Sequence, residues 1–286
     1  MKELTVNNYL APIIRDLRMD KASFAKAIGV DRTIVYSYLN NKSQMKKTTF
    51  DALLTLMENK GLSLDSYIFP PHEEGVFYHG SKAGLVGTIT THASKRSNDF
   101  GDGFYLGETL RQAALYVSRE PHPVIYRFRI DERRMKTLRF DLGKQNLIDW
   151  VFYIAANREN PIFKNNVILY DKYHNLGKGQ DVVIGPIADN NVAVAMSDFF
   201  ANVIDIDTLI AAINGVRLGN QHCIKNEIIA NSLSYEEEMT IDDNLKSYLS
   251  NLKSNEYDQA KKSLSSLKEK VQDPTRLFKN LVKNHE

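Results

Sequence analysis

Apolar residues recur at helical spacing through the first 69 positions, and then the period changes. Leu10, Ile13, Ile14 and Leu17 share one helix face, and Phe50, Leu53, Leu54 and Met57 share another before Gly61 offers a stop. This predicts consecutive short helices over 1–69. Phe69, Pro70, Pro71, His72, Glu73, Glu74 and Gly75 follow, and a proline pair with a glycine cannot continue a helix, so 70–75 reads as a linker. From Val76 the runs VFYHG, VIYRFRI, LRF, DVVIGPI and QHCIK have strand character. They alternate with helical stretches such as TLRQAALYVSR, NLIDWVFYIAAN and the region around FFANVIDIDTLIAAI. A mixed α+β domain over 76–235 is expected, with NLIDWVFYIAAN, apolar on most faces, as core and Trp150 therefore not a site residue. From Glu236 the strand signals vanish. Tyr257, Ala260, Leu264, Leu267 and Val271 repeat at alternating three and four, and Asp273 and Pro274 suit the N-cap and first residue of a last helix. The expected architecture is multidomain: an all-α domain at 1–69, an α+β domain at 76–235 and an α-helical C-terminal module at 236–286.

Composition narrows the function classes. The 286 residues carry 37 Lys and Arg against 35 Asp and Glu, so the chain as a whole is neither a nucleic-acid coat nor a membrane-surface binder. Any nucleic-acid function must be local. Cys223 is the sole cysteine, which excludes an intramolecular disulfide, and no Cys/His spacing suits zinc, so no metal is expected. The opening MKELTVNNYLAPIIRDLR lacks the apolar core of a signal peptide, and no apolar run approaches the roughly 18 residues that span a bilayer. A soluble, cytoplasmic protein is expected.

Within 1–69, taking Gly29 as a turn glycine places Phe24, Ala25 and Ile28 before it and Val30, Val35 and Tyr38 after it at buried positions of a helix-turn-helix. The second helix then exposes Arg32, Thr33, Tyr36, Ser37 and Asn40, able to meet base edges or phosphates. Ten Lys and Arg against seven Asp and Glu give this segment a net charge of +3, with Lys42, Lys46 and Lys47 clustered after the second helix. The segment resembles the Xre/Cro family of bacterial repressor domains over about 60 residues, which implies DNA binding through Arg32, Thr33, Tyr36, Ser37, Asn40 and Lys42. The same helical fold also serves as a docking or dimerisation module.

The stretch FYHGSKAG, a basic loop and then SNDFGDGFYLGETLRQAALYVSREPHPVIYRFRI carries the chemistry. In the order of its Y-H-G-S strand end, its D-F-G-x-G-F-Y-L block and the helix bearing Tyr116, the sequence resembles the ADP-ribosyltransferases of the diphtheria-toxin and poly-ADP-ribose-polymerase class over 76–235. It resembles in particular a bacterial group of small domains whose function was long unassigned. The resemblance implies NAD as substrate. Cleavage at the nicotinamide ribose passes through an oxocarbenium-like transition state, so a site must hold the nicotinamide rigidly and orient the sugar. His79 would hydrogen-bond a ribose hydroxyl, Gly80 would let the backbone approach the nicotinamide amide, and Ser81 would add a hydroxyl beside them. Tyr105 and Tyr116 match the pair of aromatics that flank the nicotinamide ring, whose positive charge favours an aromatic face. At the late-strand position where the class normally has Glu, the segment from Asn220 to Ile224 offers Gln221, with Glu227 as a rival. Ser94, Lys95, Arg96, Asp99 and Asp102 fall where the class covers the dinucleotide, and Lys95 or Arg96 suits the pyrophosphate. Gly185, Pro186 and Asp189 look like a turn in a further family block.

Together these imply a mono-ADP-ribosyltransferase that modifies an intracellular macromolecule, as a bacterial toxin or phage-defence effector with DNA-binding autoregulation. Its acceptor, protein, DNA or RNA, is not legible, although the absence of an E-x-E pair near Gln221 argues against arginine. Gln221 carries no charge and cannot act as a base, so one ADP-ribose per acceptor site is expected rather than a chain. Two other readings stand beside it: a non-catalytic NAD-sensing transcriptional regulator, and an NAD glycohydrolase. The C-terminal helices are open to packing on the protein's own body, self-association or an antitoxin.

Overall fold

The computed structural model describes residues 1–92, 98–140, 144–188, 191–214, 219–270 and 272–284. In chain order it contains strand β1 (Lys2–Leu4), helices α1 (Leu10–Asp16), α2 (Lys21–Ala27), α3 (Arg32–Leu39), α4 (Lys47–Glu58) and α5 (Asp65–Ile68), strands β2 (Val76–Ser81) and β3 (Phe104–Gly107), helix α6 (Leu110–Val117), and strands β4 (Val124–Arg129) and β5 (Thr137–Arg139). Helices α7 (Lys144–Asn157), α8 (Pro161–Lys164) and α9 (Val167–His174) come next, then β6 (Val182–Pro186), α10 (Asn191–Phe200), α11 (Ile206–Asn214), β7 (Asn220–Ile224), α12 (Glu227–Ser232), β8 (Tyr235–Ile241), α13 (Asp243–Lys268) and α14 (Phe278–Asn284). The protein is thus mixed α/β. Among the described residues no helix is long and apolar enough to cross a membrane.

The chain packs as two compact units that do not follow the sequence boundaries: 1–84 with 109–127 and 236–251, and 85–108 with 128–235 and 252–286. Contacts between distant segments, rather than neighbours in sequence, define each unit.

In the first unit the strands run in the order β1-β8-β4-β2. Residues 2–4, expected within a helical segment, instead form β1, parallel to β8 with Leu4 opposite Ile241. Three residues with one apolar member are too short to show alternation. Likewise β8 lies where strand signals were expected to have vanished, because only Met239 and Ile241 point inward and the Glu236, Glu237 and Glu238 run hides the period of two. Phe24 and Ala25 of α2, Ile28 at its end, and Val35 and Tyr38 of α3 are buried, as the sequence predicts, whereas Val30, expected to be buried with them, is half-buried. Gly29 turns between them at φ 72°, where a side chain would be strained. Asp65 ties distant parts of the unit together: it accepts from Arg111 Nε at 3.0 Å and from the Tyr248 hydroxyl at 2.8 Å, joining α5 to α6 and α13.

In the second unit the order is β3-β7-β6-β5, with β7 antiparallel to both neighbours and β5 parallel to β6. Its core is aromatic. Trp150, Phe152, Tyr153 and Ile154 of α7 are buried on every side, as expected of a helix apolar all round. The chain's last segment completes this core: Phe278 is fully buried, its ring 4.9 Å from Phe200 and 6.1 Å from Phe163. Phe278 and Val282 of α14 are thus buried in this unit. Of the expected tail stripe, Leu264 is buried and Tyr257 exposed, and Val271 lies outside the described residues. Asp273 caps, as expected, but it caps the turn Pro274–Arg276 and not α14 itself.

Candidate functional site

The residues singled out from the sequence fall into three sets. His79, Gly80, Ser81 and Tyr116 belong to the first unit, Tyr105 and Gln221 to the second, and the proposed DNA-contacting residues to the helices of the first.

At the end of β2, Gly80 presses against α6. A Cβ there would lie 2.8 Å from the Ala113 carbonyl oxygen, 2.9 Å from Val117 Cγ1 and 3.3 Å from Tyr116 Cδ1. Since the nearest atom is backbone, no rotamer change relieves the clash, and the closeness of strand and helix requires glycine. Helix α6 is fixed at its start by a reciprocal capping box between Thr109 and Gln112. Tyr116 is 51% exposed, so a large aromatic surface stands open beside the strand end. The Lys82 ammonium lies 6.0 Å from that ring's centroid and pairs with Glu120 at 2.7 Å, so the ring already meets a cation. Ser81 Oγ donates to the Gly84 carbonyl at 2.9 Å, which uses its hydroxyl to shape the following turn.

On the second unit's sheet, Tyr105 pairs with Cys223 and Gly107 with Gln221. Tyr105 and Gln221 are therefore diagonal neighbours on one face. The Tyr105 hydroxyl donates to the Gly101 carbonyl at 2.6 Å and accepts from the Phe100 amide at 3.1 Å, and its ring stacks on Phe100 at 6.5 Å. It pins the glycine-rich turn, and burial pushes its pKa well up. Burial also pushes the Cys223 thiol up to about 11, which makes it an inert packing group. Gln221 Nε2 donates to Asp99 Oδ2 at 3.0 Å and to the Pro186 carbonyl at 3.3 Å.

The alternating residues of β7 face a charge cluster that sequence reasoning missed. His222 is 3% exposed, with Nδ1 2.7 Å from Glu132 Oε1 and Nε2 3.2 Å from Glu108 Oε1. Glu108 also accepts from the Asn220 backbone at 3.0 Å and side chain at 2.9 Å. Desolvation opposes charging both groups, but the hydrogen bonds outweigh it: they raise the His222 pKa and hold Glu108 down at about 2. Both neighbours of Gln221 are thereby locked. Glu227, the rival to Gln221, is committed elsewhere. Its carboxylate accepts from the Thr90 hydroxyl at 2.8 Å, the Thr91 amide at 2.8 Å and the Thr91 hydroxyl at 2.5 Å, and the Thr91 hydroxyl leads in holding its pKa near 2. Ser94, Lys95, Arg96 and Asp189 lie outside the described residues.

On α3 and just after it, Arg32, Thr33, Tyr36, Asn40 and Lys42 are exposed and Ser37 is half-buried. Several are already engaged: Thr33 with the N-cap Asp31 at 2.6 Å, Ser37 with Ser43 at 2.8 Å and Asn40 with the Tyr36 carbonyl at 2.7 Å. Arg32 donates to the Tyr36 hydroxyl at 3.1 Å, while Lys21 sits 4.5 Å over the same ring.

Residues 76–235, more than half of the chain, match the family described as Protein of unknown function (DUF3990). The chain belongs to that family. No curated protein and no solved structure matches it.

Proposed function

We propose that the chain is an NAD-dependent mono-ADP-ribosyltransferase. The observation that carries the reading is the strand end at His79 and Gly80: glycine is sterically required there, and the contact that requires it sets the exposed Tyr116 ring beside the strand. A flat, half-open aromatic surface beside the strand end suits a planar cationic pyridinium. In this reading His79 meets a ribose hydroxyl, Ser81 holds the following turn through its bond to Gly84, and Tyr105 serves chiefly by fixing the glycine-rich turn with its hydroxyl. Gln221 binds the hydroxyl of the nicotinamide ribose, and the commitment of Glu227 to Thr90 and Thr91 favours this assignment over its rival. Binding rigidly in the reactive geometry is worth several kcal/mol of barrier, which suits a site without a charged base at Gln221.

The N-terminal helices are assigned to duplex DNA, supported by the glycine-turned helix pair and by Lys21 and Arg32 gathered at Tyr36. Incubating the purified chain with labelled NAD and a cell lysate, followed by separate protease and nuclease digestion, tests the transferase. Label retained on one class of macromolecule, with adducts of a single ADP-ribose, is expected. Free ADP-ribose as the sole product would replace the reading with a glycohydrolase.

A further inference from the structure

Gln221 stands where the resemblance leads one to expect Glu, and its surroundings explain why an amide suits the position. Its nitrogen faces two acceptors, Asp99 Oδ2 at 3.0 Å and the Pro186 carbonyl at 3.3 Å. A carboxylate at this position would set acceptor against acceptor on both sides. Asp99 is held in turn. Arg158 Nε donates to Asp99 Oδ1 at 2.9 Å, a second guanidinium nitrogen reaches the same oxygen, and that nitrogen also contacts the Ala188 carbonyl at 3.3 Å. The two oxygens of Asp99 are thus divided, Oδ1 for Arg158 and Oδ2 for Gln221. The Asp99 side chain is 13% exposed, so water competes weakly for these bonds. With the amide nitrogen committed, the Gln221 carbonyl oxygen is turned away from Asp99 and Pro186.

We propose that Asp99, braced by Arg158, is a positioning residue for Gln221: it fixes the amide so that the oxygen, and not the nitrogen, is presented to a sugar hydroxyl, and it makes glutamine the side chain this position requires. The inference rests on the reading of Gln221 as the ribose-binding residue. No new bond is made or broken by Asp99. It acts on where an acceptor points, and a misplacement of about 1 Å in such a group costs on the order of 100-fold in rate.

The test compares the full chain with Asp99→Asn, Gln221→Ala, Gln221→Glu and the doubles D99N/Q221A and D99N/Q221E, by nicotinamide release from NAD and by thermal unfolding at pH 8. In Asp99→Asn the single amide oxygen cannot serve both Arg158 and Gln221, so kcat should fall on the order of 100-fold while KM for NAD moves far less. In the Gln221→Ala background the same change should cause no further fall in kcat, because Asp99 acts through Gln221. Gln221→Glu should lower Tm by placing two carboxylates in contact, and D99N/Q221E should recover part of that loss, its amide nitrogen donating to the new carboxylate. Undiminished turnover in Asp99→Asn, or an equal loss with and without Gln221, overturns the proposal. So does a Gln221→Glu variant as stable as the wild type. If the wild type itself releases no nicotinamide, the transferase reading fails on its own, and the Tm cycle still decides whether residues 99 and 221 are coupled.

Discussion

Two strand ends carry the candidate chemistry, and they are built by opposite means. The end of β2 is shaped by space: Gly80 is small because the Ala113 carbonyl and Val117 leave no room, and the exposed ring is Tyr116 because α6 passes there. The start of β7 is shaped by charge, with Gln221 held by Asp99 and its neighbours Asn220 and His222 held by Glu108 and Glu132. A sterically built site tolerates changes of charge and fails on added volume, while an electrostatically built one does the reverse. This difference can be broken or sharpened by substitution.

The largest effect is expected at His222. Replacing it with alanine leaves two carboxylates facing each other with little solvent and removes the cation between them, at a cost of about 3–5 kcal/mol in unfolding free energy. Chemical denaturation measures this directly, and a loss below about 1 kcal/mol would show that the cluster is solvated rather than buried. Gly80→Ala comes next, at about 1–3 kcal/mol, because the strand end must move off α6. It should also abolish NAD turnover, whereas Ser81→Ala, which loses one hydrogen bond to Gly84, should cost about 1 kcal/mol. Equal stability of Gly80→Ala and wild type would refute the steric account of β2.

The smallest effect is on the pH profile of stability, and its sign follows from the two shifts. The folded pKa of His222 is raised above its ordinary 6.5, so its contribution is complete below 6.5 and lost as pH rises through the raised value. Glu108 is lowered from 4.5 to about 2, so its contribution is complete above 4.5 and lost as pH falls towards 2. The cluster should therefore stabilise most between about 4.5 and 6.5. Melting curves across this range should show the maximum in the wild type and a flatter profile in His222→Ala.

The same contrast explains what could be read from the sequence. The turn at Gly29 and the buried α7 are local matters of spacing and composition, so periodicity reveals them, whereas Gly80 and Tyr116 stand out only through the family resemblance and the packing of Gly80 on α6 is not foreseen. The partners of Gln221 come from positions 99 and 186, and those of His222 from 108 and 132. No spacing rule joins such positions, and only strand register brings them together. Alternation along β7 does indicate that His222 faces away from Gln221, which was a readable hint of a second buried polar partner set. β1 escaped because three residues show no period, and β8 because its glutamate run masks one. The packing units escaped for the reason the charge cluster did: Asp65 joins Arg111 and Tyr248 across long stretches of chain.

The central proposal is that this chain cleaves NAD at the nicotinamide ribose and that His79 and Gln221 are each needed for it. Nicotinamide release measured on the purified full chain, with His79→Ala and Gln221→Ala alongside and circular dichroism confirming that each variant is folded, tests it most directly. The account predicts release by the wild type, loss in His79→Ala and a large reduction in Gln221→Ala, with Glu227→Ala close to wild type. Wild-type turnover surviving in both His79→Ala and Gln221→Ala, or lost in Glu227→Ala alone, would contradict it.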